Sequence, residues 1–447
     1  MLDVLPLELV VEIFRLCLPE GHHSIDSRSF HREAPVLLTQ ICSSWRKVAI
    51  STPSLWSNFH VFFGFHPQRT EHLARLFLPR SRSYPLNLGI HLCLSHAGGH
   101  VSQFALQGAL DSFLQTIKEH AHHARNFELS AESLRQLVRF EKEGMSFPMV
   151  ESLKVAFDDW DIRDDEWPMM ASFASARNLR KLYLESLPLS RLGAPLENIT
   201  DVIALSHNLQ QTIYMLAHLP ALEHMYLQAK DGAETHLLPI NAPIVLPCLS
   251  NFEMSCDFAQ HLLPLLTLPA LKELVISSLS NSDGLSSSTL ESLLDRSLCS
   301  LKRLQLWTGE VQELPSVSAF KRSNWMMLEE LSFALPEKSS LQRFCDAYGA
   351  DATFLPKLQK LEFICGSHPL AAGAGECLEQ LGPVVARRMA NDEPWPLRAL
   401  KVVWSEYDAG VYGFLANDEL HGLFTMLKGR GVDVYIGAAG GDETSWI

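Results

Sequence analysis

Histidine, acidic and glycine clusters are where this chain could do chemistry. His120, His122 and His123 sit together in KEHAHHAR, and His22, His23 and His31 fall in EGHHSIDSRSFHREA. Imidazoles hold zinc when they converge tetrahedrally, usually with cysteine or acidic partners at set spacings. Neither group carries a cysteine or an HExxH pattern, so both read as solvated side chains of a helix end and a loop. No metal is expected. DDWDIRDDEW, Asp158 to Trp167, is the most acidic stretch. A calcium loop needs oxygen donors at alternate positions and a glycine at its sharp turn. Arg163 occupies one would-be donor position and glycine is absent, so the segment reads as an exposed connection. Docking of a basic partner beside Trp160 and Trp167 is its functional alternative. AAGAGE, Ala371 to Glu376, follows a proline turn, and no GxSxG elbow, Walker loop or GxGxxG after a strand occurs. No cofactor and no enzyme activity are expected; a hydrolase with an unrecognised site is the remaining catalytic reading.

Composition narrows the classes further. The 447 residues suit a repeat array or two domains better than one compact domain. Apolar residues at 47% can build a large core, and 20% charged residues exclude a largely disordered chain. A net charge of −14 repels phosphate backbones and anionic lipid, so no nucleic-acid or membrane partner is expected. HLLPLLTLPALKELVI, the longest apolar run, is broken by Pro264, Pro269 and Lys272. Asp3 precedes the first apolar run where a secretory signal would be basic. Nine cysteines without a CxxC pair read as reduced thiols, which places the chain in the cytosol or nucleus.

The elements are legible in two styles. LPLELVVEIFRLCLP, Leu5 to Pro19, predicts a helix with Pro6 at its first position and Glu8 near the positive end of its dipole. Glu8, Glu12 and Arg15 form a narrow polar stripe on its solvent side, and apolar residues cover most of the rest. That is more apolar surface than a small module covers by itself. PVLLTQICSSWRKVAI, Pro35 to Ile50, repeats apolar residues at helical spacing, and STPSLWSNF follows as a turn anchored by Leu55, Trp56 and Phe59. Trp56 reads as a core aromatic. The ordered set Leu5-Pro6, Glu8, Ile13-Phe14, Ile41-Cys42, Trp45-Arg46, Ala49 and Leu55-Trp56 resembles the F-box, a short three-helix module at the N-terminus of many fungal proteins. The link from Cys17 to Pro35 is longer than in compact F-boxes.

A second signal repeats behind it. LRKLYLE, LEHMYLQ, LSNFEMS, LKELVIS, LKRLQLW, LEELSFA, LQKLEFI and LRALKVV share the form LxxLxL. VESLKVA from Val150 belongs with them, and ARNFELS and ITDVIAL are weaker members. Several follow the words LPAL, LPCL or LPKL. NLQQTIYMLAHL, FAQHLLPLLTL, SSTLESLLDRSL and SLQRFCDAYGA read as helices between them. An LxxLxL strand buries its leucines and exposes the residues between, and stacked units share one core. The pattern resembles an irregular leucine-rich-repeat solenoid, although the usual asparagine after each strand is missing. The expected fold is therefore α/β: an F-box over residues 1–60, a connector or atypical first repeats over 61–123, a solenoid over 124–437 with parallel strands on one face and helices on the other, and a flexible tail over 438–447.

The resemblance implies a non-catalytic substrate-recognition subunit of an SCF-type cullin–RING ubiquitin ligase. It would bind a Skp-type adaptor, and through it the cullin scaffold, and hold an unknown target protein on the repeats. Leu5, Pro6, Leu9, Ile13, Ile41 and Trp45 are the candidate adaptor contacts. Tyr183, Tyr226, Arg303 and Trp307 are the candidate target contacts, because exposed Tyr, Trp and Arg anchor protein interfaces. A protein-binding scaffold acting outside ubiquitin ligases is the alternative.

Overall fold

A computed structural model of the chain describes residues 5–19, 23–24, 30–64, 66–93, 103–157, 162–229, 243–277, 285–307, 314–334, 337–351, 353–365, 373–390, 395–404 and 417–438. The chain divides into two compact units, Met1–His207 and Asn208–Ile447.

The first unit opens with the helix Leu7–Leu16, for which Pro6 supplies the N-cap residue rather than the first turn. The apolar run expected as one helix from Pro35 to Ile50 is two, Leu38–Ile41 and Ser43–Ser51. Cys42 separates them with an extended backbone, and its thiol accepts a hydrogen bond from the Trp45 amide at 3.4 Å. A cap with its own side-chain acceptor at that point competes with continuing the helix.

Seven parallel strands of the first unit pair in chain order: β1 His23–Ser24, β2 Asn58–Phe63, β3 Leu86–Leu92, β4 Ala124–Ala131, β5 Ser152–Phe157, β6 Lys181–Glu185 and β7 Asp201–His207. Phe59 lies inside β2, which crosses residue 60, rather than in the turn expected there. ARNFELS and ITDVIAL, the weaker matches, are full strands. The register explains the alternation. Phe59, Leu88, Phe127, Leu153, Leu182 and Val202 form one lateral row; Val61, Ile90, Leu129, Val155, Leu184 and Ala204 form the next. All twelve are buried. Helices Pro67–Ser81, Gln103–Lys118 and Leu134–Lys142 connect β2 to β5. The expectation of a helix behind every strand fails after that: Ala171–Phe173 and Leu189–Arg191 are single 3-10 turns.

The second unit repeats the plan with β8 His224–Ala229, β10 Asn251–Ser255, β12 Glu273–Ser277, β13 Arg303–Trp307, β14 Glu330–Ala334, β15 Lys360–Cys365, β16 Ala399–Trp404 and β17 Asp433–Ala438, paired in that order and parallel. A separate small pair joins β9 Ile244–Val245 to β11 Leu266–Thr267. The LP-x-L words have a local cause. Leu222, Leu271 and Leu358 each donate a backbone hydrogen bond to the leucine three residues earlier, at 3.3, 3.2 and 3.2 Å. That turn buries both leucines under the start of the next strand. FAQHLLPLLTL, expected as one helix, forms the short helix Ala259–Leu262, a 3-10 turn and β11; Pro264 lacks the N–H that would continue the helix. By contrast, AAGAGE leads into a helix, Ala374–Ala390, which tolerates Pro383. Of the tail expected over 438–447, Ala438 ends β17 instead, and residues 439–447 lie outside the described residues.

Candidate functional site

Two surfaces carry more than packing requires. The first is the opening helix. Only Val10 and Phe14 are buried on it; the Phe14 ring lies 5.0 Å from that of Trp45. Leu5, Leu9, Ile13 and Leu16, at spacings of four, four and three, line one stripe and are all exposed, Leu9 at 52% and Leu16 at 80%. Leu37 and Ile41 are exposed on the neighbouring segment. Of the six candidate adaptor contacts, Leu5, Pro6, Leu9, Ile13 and Ile41 are exposed, whereas Trp45 is half-buried against Phe14. Leu16 adds to the stripe, and Leu7 and Leu37 are further exposed apolar side chains outside those six. Contiguous apolar surface of this kind marks an interaction site. Arg15 is exposed, as expected of the polar stripe, and also reaches Ser54 Oγ through Nε and Nη2 at 3.2 Å, which ties the helix to the following turn. Trp56 is fully buried and donates to the Ala49 carbonyl at 2.7 Å, as its core reading requires.

The second surface is the outward face of the strands. In the second unit Arg303 is held between two neighbours, donating to Glu330 at 2.9 and 3.2 Å and to Glu273 at 3.0 Å. A guanidinium so engaged serves the ladder before it serves a partner. Trp307, 37% exposed, donates to Ser332 Oγ at 3.0 Å. Tyr226 pairs with Glu253 three strands from β13 and one step out of the Arg303 row, so it is not gathered with Arg303 and Trp307 into one site. Tyr183 belongs to the first unit, where the Lys154 ammonium sits 4.8 Å from the centre of its ring.

In that unit the register places His60, Gly89, Glu128, Lys154 and Tyr183 in one lateral row, with His91 two residues beyond Gly89 on the same face. His60 Nδ1 lies 3.0 Å from His91 Nε2 and 3.9 Å from Glu128 Oε2; His91 Nε2 lies 4.0 Å from Glu128 Oε1. Lys154 Nζ holds Glu128 Oε1 at 2.8 Å. Burial alone would raise the Glu128 carboxyl, but the Lys154 hydrogen bond and charge, with the two imidazoles behind them, hold it below its ordinary value. Glu128, Lys154 and Tyr183 occupy outward positions of the ARNFELS, VESLKVA and LRKLYLE strands, but no metal-ligand or catalytic motif joins them to His60 and His91. The one signal was His60 within the apolar run of β2, NFHVFF; Glu128 and Lys154 sit at ordinary outward positions of alternating strands.

The histidine cluster that the sequence did single out behaves differently from expectation. His123 is buried in a 3-10 turn, not solvated, and His122 Nε2 lies 3.4 Å from its Nδ1. Burial, with the neighbouring His122 and His120 charges, pushes His123 down to about 4. An unfolded chain takes up a proton near the ordinary value of about 6.5 that the folded chain refuses. The stability held by neutral His123 is complete above that point and is lost as pH falls toward about 4. Thermal melts of the full chain should show a loss of stability between pH 7 and pH 5, and His123→Leu should flatten that dependence. His22 and the acidic residues 158–161 lie outside the described residues. Trp167 is buried against Phe157, with ring centres 4.8 Å apart, and so cannot flank a docking point as expected.

No helix among the described residues is long and apolar enough to cross a membrane. Compared with known proteins, the chain matches no family model and no curated protein.

Proposed function

We propose that the chain is the substrate-recognition subunit of an SCF-type cullin–RING ubiquitin ligase, with residues 1–60 as its F-box and an irregular leucine-rich-repeat solenoid behind it. The observation that carries this reading is the exposed Leu5–Leu9–Ile13–Leu16 stripe; Leu37 and Ile41 are exposed as well. A helix that buries only Val10 and Phe14 against its own module leaves apolar surface that a partner's helices cover. On this reading the Skp-type adaptor covers it. The strand faces, with their mixed charge and half-exposed Tyr183, Tyr226 and Trp307, hold the target protein. Catalysis is then proximity: the receptor raises the target's effective concentration at the ligase and contributes no reacting group.

Co-expression of the full chain with a Skp-type adaptor and a cullin tests the proposal. Stoichiometric co-elution of all three is the expected outcome. A chain that elutes as a folded monomer, leaving the adaptor behind, would support instead a protein-binding scaffold that works outside ubiquitin ligases.

A further inference from the structure

The His60–His91–Glu128 cluster has the geometry of a metal site, and nothing in the proposed receptor role requires it. Three consecutive strands, β2, β3 and β4, each contribute one donor, and the donor atoms all lie within 4.8 Å of one another. Gly89 makes the approach possible. It pairs with His60 in register, and a Cβ at that position would stand 2.3 Å from His60 Nδ1. The imidazole therefore lies across the glycine and reaches toward the next two strands. Phe62 stacks flat on His91, 4.3 Å away at 9°, which fixes the plane of that ring. Lys154 grips Glu128 Oε1 and leaves Oε2 turned toward His60.

We propose that His60 Nδ1, His91 Nε2 and Glu128 bind a divalent transition-metal ion of the zinc class. Two imidazoles and a carboxylate are a borderline donor set that suits zinc, with bonds of about 2.0–2.2 Å. Two nitrogens bound at those lengths and a tetrahedral angle stand about 3.4 Å apart, so the 3.0 Å contact opens by only a few tenths of an ångström. In the metal-free chain one of these two nitrogens must donate to the other. The ion takes the place of that shared proton, which moves through solvent to the donating ring's other nitrogen, so both rings bind as neutral imidazoles. Lys154 stays as an outer partner that orients the carboxylate and balances its second oxygen. Three protein donors leave at least one coordination position open on the strand face, for water or for a donor atom of a bound protein.

The test uses the full chain, stripped with chelator and titrated with Co²⁺. One equivalent should bind with the visible absorption of a four- or five-coordinate site, and Zn²⁺ should displace it. His91→Asn and Glu128→Gln should each weaken binding by about tenfold or more, whereas His123→Asn should not change it. Gly89→Ala should also weaken it, because the new methyl pushes His60 out of place. X-ray absorption of the wild-type zinc complex needs no variant to fold: two imidazole shells and no sulfur are expected. Absence of stoichiometric binding at micromolar metal, binding indifferent to His91→Asn and Glu128→Gln, or a sulfur shell from the cysteines would each overturn the proposal.

Discussion

Replacing Leu9 and Ile13 together by aspartate should all but abolish capture of a Skp-type adaptor while the chain keeps its fold. Both side chains are exposed, at 52% and 38%, and lie four residues apart on one stripe of the opening helix. Substitutions at such positions shift stability by about 0.5 kcal/mol or less each, so the melting midpoint should barely move. In the proposed complex the same side chains would sit in a desolvated apolar interface. Losing two central anchors and burying two carboxylates there costs about 4 kcal/mol or more, on the order of a thousandfold in affinity. Surface plasmon resonance against immobilised adaptor, alongside a thermal melt, separates the two effects. An affinity within threefold of wild type, with an unchanged melt, would remove Leu9 and Ile13 from the interface.

Trp56→Ala should have the largest effect on stability. Trp56 is fully buried, and its Nε1 donates to the Ala49 carbonyl at 2.7 Å, near the end of the helix Ser43–Ser51. Its ring meets Phe77 edge-on at 4.9 Å, and the Arg80 guanidinium stands 4.4 Å above it. One side chain thus ties the N-terminal helices to the first strand-connecting helix, Pro67–Ser81. Truncation leaves a cavity and removes the shorter of the two hydrogen bonds to the Ala49 carbonyl, which keeps only the Thr52 amide at 3.4 Å, at a cost of about 4 kcal/mol. Urea denaturation should show this loss in the transition of the first unit. Trp56→Phe should recover part of the packing but not the hydrogen bond. A loss below about 1 kcal/mol would mean that the helices and the strands behind them are not joined through this residue.

The two substitutions mark the limits of what was readable. Trp56 was legible as a core aromatic because LW follows a turn marked by Pro53 and flanking serines. The Leu9–Ile13 stripe was legible as excess apolar surface, but not which part of it the module buries. Phe14 turned inward because Trp45 lies against it, a fact of tertiary placement, and Val10 is buried one turn before it. The helices Pro67–Ser81 and Ala374–Ala390 went unread because Pro79 and Pro383 break the local pattern, while packing holds both together. Trp160, one of the two tryptophans expected beside the acidic connection, lies outside the described residues. Trp167 failed as a surface residue because Phe157 supplies an aromatic partner beneath it.

The sequence alone determined the parallel α/β repeat plan. Each LxL pair buries two side chains whatever its neighbours are, since the period of two belongs to a single strand and needs no long-range information. The LP-x-L turn is local in the same way. The tertiary structure decided what the outward faces hold. His60 and His91 lie 31 residues apart and meet only because β2 and β3 pair in a register that sets Gly89 beneath the His60 ring. Glu128 joins them through the next register, across a connection of different length. Lateral contacts between strands depend on pairing rather than on spacing along the chain. A cluster built from one residue per strand therefore leaves no motif in the sequence, and only the folded sheet brings it together.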